Sequence, residues 1–357
     1  MKRDNIHYST RKIDSYNKPF NFIVSAREAG KTTTVLLDKV YKWWLKDGST
    51  SLFLLRDAVS ITDEYITKLI DTIETFNDVT YKVTYTKESM KKGTTTIFLD
   101  DKPFIMILSM NMQIIRIKKL GLKNIRFIVV DEFICNWKFG EKYLKGETEK
   151  FEEIYKTFRR DATKRDIELK CYFLGNPYSR YNPYFLWLNA NIDKIEPGTI
   201  QVGDVWVIEN YRLSEELYQK ILKTDPLFKI DDAYREYALN GESVNDKNIN
   251  INQTLPNNFK LWNVLAYNDK YIGIYRTKQI TDINALRFHI RYINKDTFTS
   301  QRDVYCFDLS DVYNQQVMMD RLTKMGFDSL KGAMRNGLVS YYDTSTFYIM
   351  KDLFNQF

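Results

Sequence analysis

The chain has 357 residues, 44% of them hydrophobic, and a net charge of +7; it is long enough for two domains of ordinary size and too apolar for wholesale disorder. Three scattered cysteines (Cys135, Cys171, Cys306) and only two histidines (His7, His289) exclude a C-x-x-C metal site, a disulfide framework and a histidine-based zinc site or triad. The polar opening MKRDNIHYST predicts no secretory signal, no run of about 18 apolar residues predicts a membrane span, and the mild basic excess suits a polyanionic partner.

In chain order, FNFIVS (20–25) predicts a short buried strand and KTTTVLLDKVYKWWLK (31–46) a helix closed by Gly48. SLFLLR (51–56) predicts a second strand, and VSITDEYITKLIDTIETF (59–76) an amphipathic helix capped by Ser60 or Thr62. TYKVTYT and TTTIFLDDKPFIMILSM predict alternating strands, with Lys91, Lys92 and Gly93 at a hairpin tip between them. NIRFIVVDEF predicts a buried strand ending in two acids, ETEKFEEIYKTFRRDATKRD a helix, and IELKCYFLGNP a strand closed by Gly-Asn-Pro. Continuous apolar runs alternating with helices imply a parallel sheet covered on both faces. Residues 1–200 are therefore expected to form one α/β domain. Residues 201–257 hold a helix, SEELYQKILKTDPLF, and a polar, Asn-rich linker, NGESVNDKNININQTLPNN. From 258 to 357, the alternating FKLWNVLAYNDKYIGIYRTKQI, with a turn at Asn268-Asp269, then ALRFHIRYINKD and further helices, predict a second, α+β domain.

The stretch SAREAGKT follows the first strand and opens the first helix. It matches the phosphate-loop pattern G-x-x-x-x-G-K-[ST] except that Ser25 replaces the first glycine. Serine is small enough for that tight turn, and Gly30 is kept where backbone and phosphate come closest. Ser25, Ala26, Arg27, Glu28, Ala29, Gly30, Lys31, Thr32 and Thr33 are thus candidate ATP contacts. Lys31 would reach the β- and γ-phosphates, and Thr32 would offer its hydroxyl to Mg²⁺. About 100 residues later IRFIVVDE ends in Asp131 and Glu132, as a Walker B strand does. The aspartate suits Mg²⁺ and the glutamate suits polarisation of the attacking water. The acid pair marks the P-loop NTPase subclass with an additional strand (ASCE type). Its next strand, CYFLGN, ends at Asn176, a candidate sensor of the γ-phosphate or the water. Arg27 and Arg56 are each a candidate cis sensor or salt-bridge partner. Arg159, Arg160 and Arg165 on the FRRDATKR helix are candidates for stabilising charge in a neighbour's site.

FNFIVSAREAGKT, IVVDEFI, TFRRDATKR, NPYFLWLN and the terminal MRNGLVSYYDTSTFYIMKDLF stand in the order seen in one family. The chain resembles the DNA-packaging ATPases of phi29-like short-tailed phages. That resemblance implies a terminase-like motor that pushes double-stranded DNA into a prohead. It also implies a homo-oligomeric ring, expected to be a pentamer, docked on the portal from the host cytoplasm, with no membrane stage. Some relatives bind a structural packaging RNA. The C-terminal domain is expected to have a vestigial RNase H-like nuclease fold. By position the resemblance makes Lys31 the Walker lysine, Asp131 and Glu132 the Walker B pair, and Arg159 the finger acting in trans. Among Arg116, Lys118 and Lys119, it makes Lys118 the first choice for a second trans-acting cation. The basic cluster after the family's second strand is reduced here to Arg56 followed by Asp57, with Lys91 and Lys92 as a substitute DNA contact.

Two other functions fit parts of the sequence: a large terminase with an active C-terminal endonuclease, and a nucleotide-binding protein that is not a motor. KLWNVLAY and YIGIYR carry no acid, and Asp308 and Asp311 lack an evident third carboxylate for two-metal cleavage, so the nuclease is expected to be lost. Intact Lys31, Thr32, Asp131 and Glu132 argue for hydrolysis over passive binding.

Overall fold

The computed structural model of the chain describes residues 6–117, 124–136, 141–180, 182–230, 235, 239–241, 249–267, 270–277, 286–298, 304–306, 316–318, 327–335 and 337–355. It divides into two compact units, Met1–Asp246 and Lys247–Phe357.

Among the described residues the first unit is built on one sheet of nine strands. They are β1 (Phe20–Ser25), β2 (Thr50–Leu55), β3 (Val83–Thr84), β4 (Thr94–Leu99), β5 (Lys102–Ser109), β6 (Ile125–Asp131), β7 (Lys170–Gly175), β8 (Ile200–Val202) and β9 (Trp206–Tyr211). Their order across the sheet is β3-β4-β5-β2-β6-β7-β1-β9-β8. From β5 to β9 every neighbouring pair is parallel, and antiparallel hairpins finish both edges. The strand between the phosphate-loop strand β1 and the acid-ended strand β6 is β7, the additional strand expected of the ASCE type.

Both faces are covered, which is why these strands read as unbroken apolar runs. On one face Ile23, Phe53, Ile105, Phe127, Tyr172 and Val207 pack with Val35, Val40 and Trp44 and with Ile66, Ile70 and Ile73. These partners lie on a helical run, Lys31–Val35, Leu36–Tyr41 and Lys42–Asp47, whose middle piece is a π-helix, and on the Asp63–Asn77 helix. On the other face Phe22 stacks on Phe173 at 4.1 Å. Phe151 of the Glu147–Lys164 helix meets Phe173 at 4.9 Å, and Phe185 of the Pro183–Trp187 helix meets Phe22 at 6.0 Å. Each such aromatic contributes about 1.5–3 kcal/mol on burial.

Three local expectations need correction. Lys91 and Lys92 do not form a hairpin tip: Lys87–Lys91 is a one-turn helix between β3 and β4. The tight hairpin is β4–β5, where Leu99 pairs with Lys102 and the two turn residues, Asp100 and Asp101, have φ of 47° and 63°. Such turns favour residues that tolerate positive φ, Asp among them. The first sheet also runs past residue 200, because β9 pairs in parallel with β1 along its whole length. And part of the Asn-rich stretch is not a free linker: the Asn252 N–H donates to the Tyr341 carbonyl at 2.8 Å, and the Tyr341 N–H to the Asn250 carbonyl at 2.9 Å. Of the helix caps proposed for the Asp63–Asn77 helix, it is the Thr62 hydroxyl that accepts the Tyr65 N–H.

The second unit contains β10 (Phe259–Tyr267), β11 (Lys270–Thr277), β12 (Phe288–Ile293), β13 (Val304–Cys306), β14 (Gln316–Met318) and β15 (Val339–Tyr341). Their order is β14-β13-β10-β11-β12-β15. The first three strands form an antiparallel meander, and β13 and β14 then add in parallel beside β10. That is the strand order of an RNase H-like sheet, with β15 added in parallel beyond β12. The unit also holds the helices Asp328–Arg335 and Thr344–Asn355, with Phe288, Ile290, Phe327 and Leu330 in its core. The expected turn at Asn268-Asp269 and the acids Asp308 and Asp311 lie outside the described residues.

Candidate functional site

The loop after β1 is shaped by two left-handed residues. Glu28 has φ 61° and Gly30 has φ 84°. Gly30 caps the helix that begins at Lys31, and the first intrahelical bond is Thr34 N–H to the Gly30 carbonyl at 2.8 Å. The amides of Lys31, Thr32 and Thr33 precede it, in the place where a helix start presents donors to an anion. Gly30 is also fixed by space: a Cβ there would lie 3.3 Å from His7 Cβ. The N-terminal segment locks the loop from below. Tyr8 N–H donates to the Ala29 carbonyl, the Thr34 hydroxyl donates to the Tyr8 carbonyl, and the Tyr8 hydroxyl donates to buried Glu209 on β9 at 2.8 Å. Ser25 is fully buried, and its hydroxyl bonds the Ala26 carbonyl at 3.1 Å.

Strand register brings the second element level with the loop. Ile23 pairs with Leu174, and Leu174 pairs with Asp131, so one row crosses β1, β7 and β6. Lys31 Nζ donates to Asn176 Oδ1 at 2.8 Å. Burial lowers the Lys31 amine to about 8; Asp131 and Glu132 oppose that shift, and Arg27 adds to it. Burial and then Glu132 raise the Asp131 carboxyl to about 6, while Lys31, the Glu132 N–H and the Tyr65 hydroxyl at 3.4 Å oppose the shift. The residues gathered here could hold a metal-bound polyphosphate: the Lys31 amine and the loop amides suit phosphate oxygens, and the Thr32 hydroxyl and Asp131 carboxylate suit a hard cation.

Glu132 is exposed and left-handed, with φ 55°. Such backbone costs about 1–3 kcal/mol and persists where surrounding contacts hold it. Arg56 supplies those contacts. Its Nη2 donates to the carbonyls of Glu132 and Phe133, both at 3.2 Å, and its Nε and Nη2 bond the Glu147 carboxylate at 2.9 and 3.1 Å. Glu147 is 2% exposed and also accepts from the Tyr184 hydroxyl and the Leu144 N–H. Of the two roles open to Arg56, its contacts are those of a salt-bridge partner behind the turn after β6. Arg27 does lie at the loop, donating to the Tyr178 hydroxyl at 2.9 Å. Glu147, Tyr178, Tyr65 and Tyr184 escaped the sequence reading: an acid at a helix start reads as a dipole complement, and nothing local marks the tyrosines.

Arg159 sits elsewhere. Its helix starts at Glu147 beside Arg56 and descends along the sheet until Asp161 accepts the Asn124 N–H, next to the first residue of β6. Arg159 is twelve positions along the helix from Glu147, a rise of about 18 Å. Arg159 is exposed, with its guanidinium 6.0 Å from the Tyr155 ring, toward the strand ends opposite those that carry Lys31 and Asp131. Arg160 is likewise exposed, and Arg165 pairs with Asp161 at 3.1 Å. Arg116 is exposed on a one-turn helix, Ile114–Ile117; Lys118 and Lys119 lie outside the described residues. Among the described residues no cluster of His, Cys, Asp and Glu could hold a metal by itself, and no helix is long and apolar enough to cross a membrane.

The model of the podovirus DNA encapsidation protein (Gp16) family matches residues 2–357. The chain is 22% identical to the DNA packaging protein of Bacillus phage phi29 and 21% identical to that of Bacillus phage PZA, with 98% of each chain covered in both cases. Its fold matches the phi-28 gp11 DNA packaging motor with a TM-score of 0.70 at 14% identity, covering 98% of this chain and 97% of that one. It matches the bacteriophage phi-29 genome packaging motor assembly with a TM-score of 0.64 at 18% identity, covering 99% of each. A match that spans both units, with the phosphate loop, the acid pair and the additional strand in place, makes this chain a member of the podovirus DNA encapsidation protein (Gp16) family.

Proposed function

We propose that this chain is the ATP-hydrolysing subunit of a motor that drives double-stranded DNA into a phage prohead. The observation that carries the reading is the convergence of Lys31, Asp131 and Asn176 at the ends of three adjacent parallel strands, in a chain matched end to end by the family. Lys31, Arg27 and the amides of the Ser25–Thr33 loop hold the triphosphate. Thr32 and Asp131 would hold Mg²⁺, which when bound would neutralise phosphate charge. Glu132 accepts a proton from the attacking water as its oxygen bonds the γ-phosphorus, and ADP leaves. Asn176 orients the γ-phosphate or that water.

Arg159 serves a neighbour's site. Its place in the C-terminal half of its helix, away from Lys31, supports action between subunits, and hence a ring, for which a pentamer is the family expectation. Lys118 is retained as a second trans-acting cation. The first unit is the ATPase module, and the second is a scaffold for docking on the prohead, its portal and a structural packaging RNA, in the host cytoplasm. We assign no nuclease to it: β10, β11 and β12 carry no Asp or Glu. That favours a translocating motor over a terminase that cuts.

The test is packaging itself. The full chain, proheads, ATP and linear DNA should yield DNA protected from added nuclease, and Lys31→Ala should abolish protection. Metal-dependent cleavage of plasmid DNA by the purified chain would instead establish the terminase reading.

A further inference from the structure

We propose that Tyr178 is a positioning residue that couples occupancy of the phosphate loop to the orientation of Asn176; this rests on the ATPase reading above. Tyr178 follows β7 and is 6% exposed. Its hydroxyl accepts from Arg27 Nη2 at 2.9 Å and from Asn176 Nδ2 at 3.4 Å. The Tyr178 N–H closes the turn on the Asn176 carbonyl at 2.8 Å. Asn176 Oδ1 in turn accepts from Lys31 Nζ at 2.8 Å. A continuous chain therefore runs Arg27–Tyr178–Asn176–Lys31, beginning and ending on the phosphate loop.

The chemistry of a phenol suits this link. Its oxygen accepts two hydrogen bonds, so one group can hold both a guanidinium and an amide. With Nδ2 held by Tyr178, the amide of Asn176 has Oδ1 turned to Lys31. A triphosphate competes for both cations at once, because each makes stronger charge-assisted bonds to phosphate than to a neutral oxygen. Withdrawal of Arg27 from Tyr178 and of Lys31 from Asn176 leaves Tyr178 as the fixed partner that orients Asn176. Tyr178 thus restrains Arg27 in the nucleotide-free loop and sets Asn176 once nucleotide arrives.

Tyr178→Phe removes the hydroxyl and keeps the buried ring. ATP turnover of the full chain with DNA and proheads should fall about tenfold in kcat, while KM stays level or falls severalfold because Arg27 is no longer restrained. A packing role would instead raise KM or lower the melting temperature with kcat kept. The deciding comparison is a double-mutant cycle: in an Asn176→Ala background, Tyr178→Phe should have no further effect on kcat. Multiplicative effects of the two substitutions, or an unchanged kcat in Tyr178→Phe, would overturn the proposal while leaving the ATPase reading intact. A wild-type chain with no turnover would overturn that reading and this inference with it.

Discussion

Arg56 and Glu147, 91 residues apart, meet in a buried salt bridge at 2.9 Å directly behind the turn that carries Glu132. The guanidinium joins the end of β2, the carbonyls after β6 and the start of the Glu147–Lys164 helix. A pair so buried adds little over an apolar replacement, but breaking it strands a charge. Arg56→Ala should therefore lose about 3–5 kcal/mol of unfolding free energy. Urea titration of the full chain checks this; a loss under about 1 kcal/mol would mean that the pair behaves as an exposed one.

Gly175 ends β7 against Phe133, and a Cβ added there would lie 2.7 Å from Phe133 Cε1 and 3.0 Å from Ile134 Cγ1. Both neighbours are fully buried, so neither can swing aside into solvent. Gly175→Ala should cost about 1–3 kcal/mol through overpacking. It should also slow ATP turnover, because Phe133 follows Glu132 directly. Melting temperature and kcat measured together check both effects.

The sequence exposes those parts of the site whose residues are adjacent in the chain. SAREAGKT holds its glycine, lysine and threonine on one turn, and IVVDE holds its acids at one strand end, so spacing alone reveals them. The Arg56–Glu147 clamp, the Tyr8–Glu209 bond and the Arg27–Tyr178 contact join segments 91, 201 and 151 residues apart, and no local periodicity encodes such pairs. The Asp100-Asp101 turn was legible in principle, since paired Asp residues tolerate positive φ, but Lys91-Lys92-Gly93 offered a competing glycine signal. Alternation marks β10, β11 and β12 as strands without ordering them; the RNase H-like order was expected from the resemblance alone.

His289 gives the second unit a pH dependence. It is fully buried, its Nδ1 lies 3.0 Å from Ser340 Oγ, and its Nε2 has no hydrogen-bond partner among the described residues. Burial, aided by Arg291, lowers its pKa from 6.5 to about 4. The folded imidazole is thus neutral where the unfolded one takes up a proton. The resulting stability is complete above about pH 6.5 and is lost as pH falls toward 4, by up to about 3 kcal/mol. Denaturation curves between pH 7 and pH 4 check this, and His289→Gln should flatten the slope by up to about 1.4 kcal/mol per pH unit.

Arg159 and Lys31 lie toward opposite ends of the strands of one sheet, so their defects should complement between subunits. Arg159→Ala and Lys31→Ala chains should each be inactive alone. Rings assembled from mixtures should regain part of the activity, because an intact Lys31 site can then face an intact Arg159. A guanidinium acting on transferring phosphate is worth about a thousandfold or more in rate. Mixtures that form rings and stay as inactive as their parents would confine Arg159 to its own subunit.

Glu132 is proposed to activate water for ATP hydrolysis in a DNA-driven site. The most direct measurement is steady-state ATP turnover of the full chain with proheads, with and without double-stranded DNA, for wild type and Glu132→Gln. Wild-type turnover should rise on adding DNA. Glu132→Gln should bind ATP as tightly as wild type and turn it over about a hundredfold more slowly or worse. Turnover in Glu132→Gln equal to that of wild type would remove Glu132 from the role of general base.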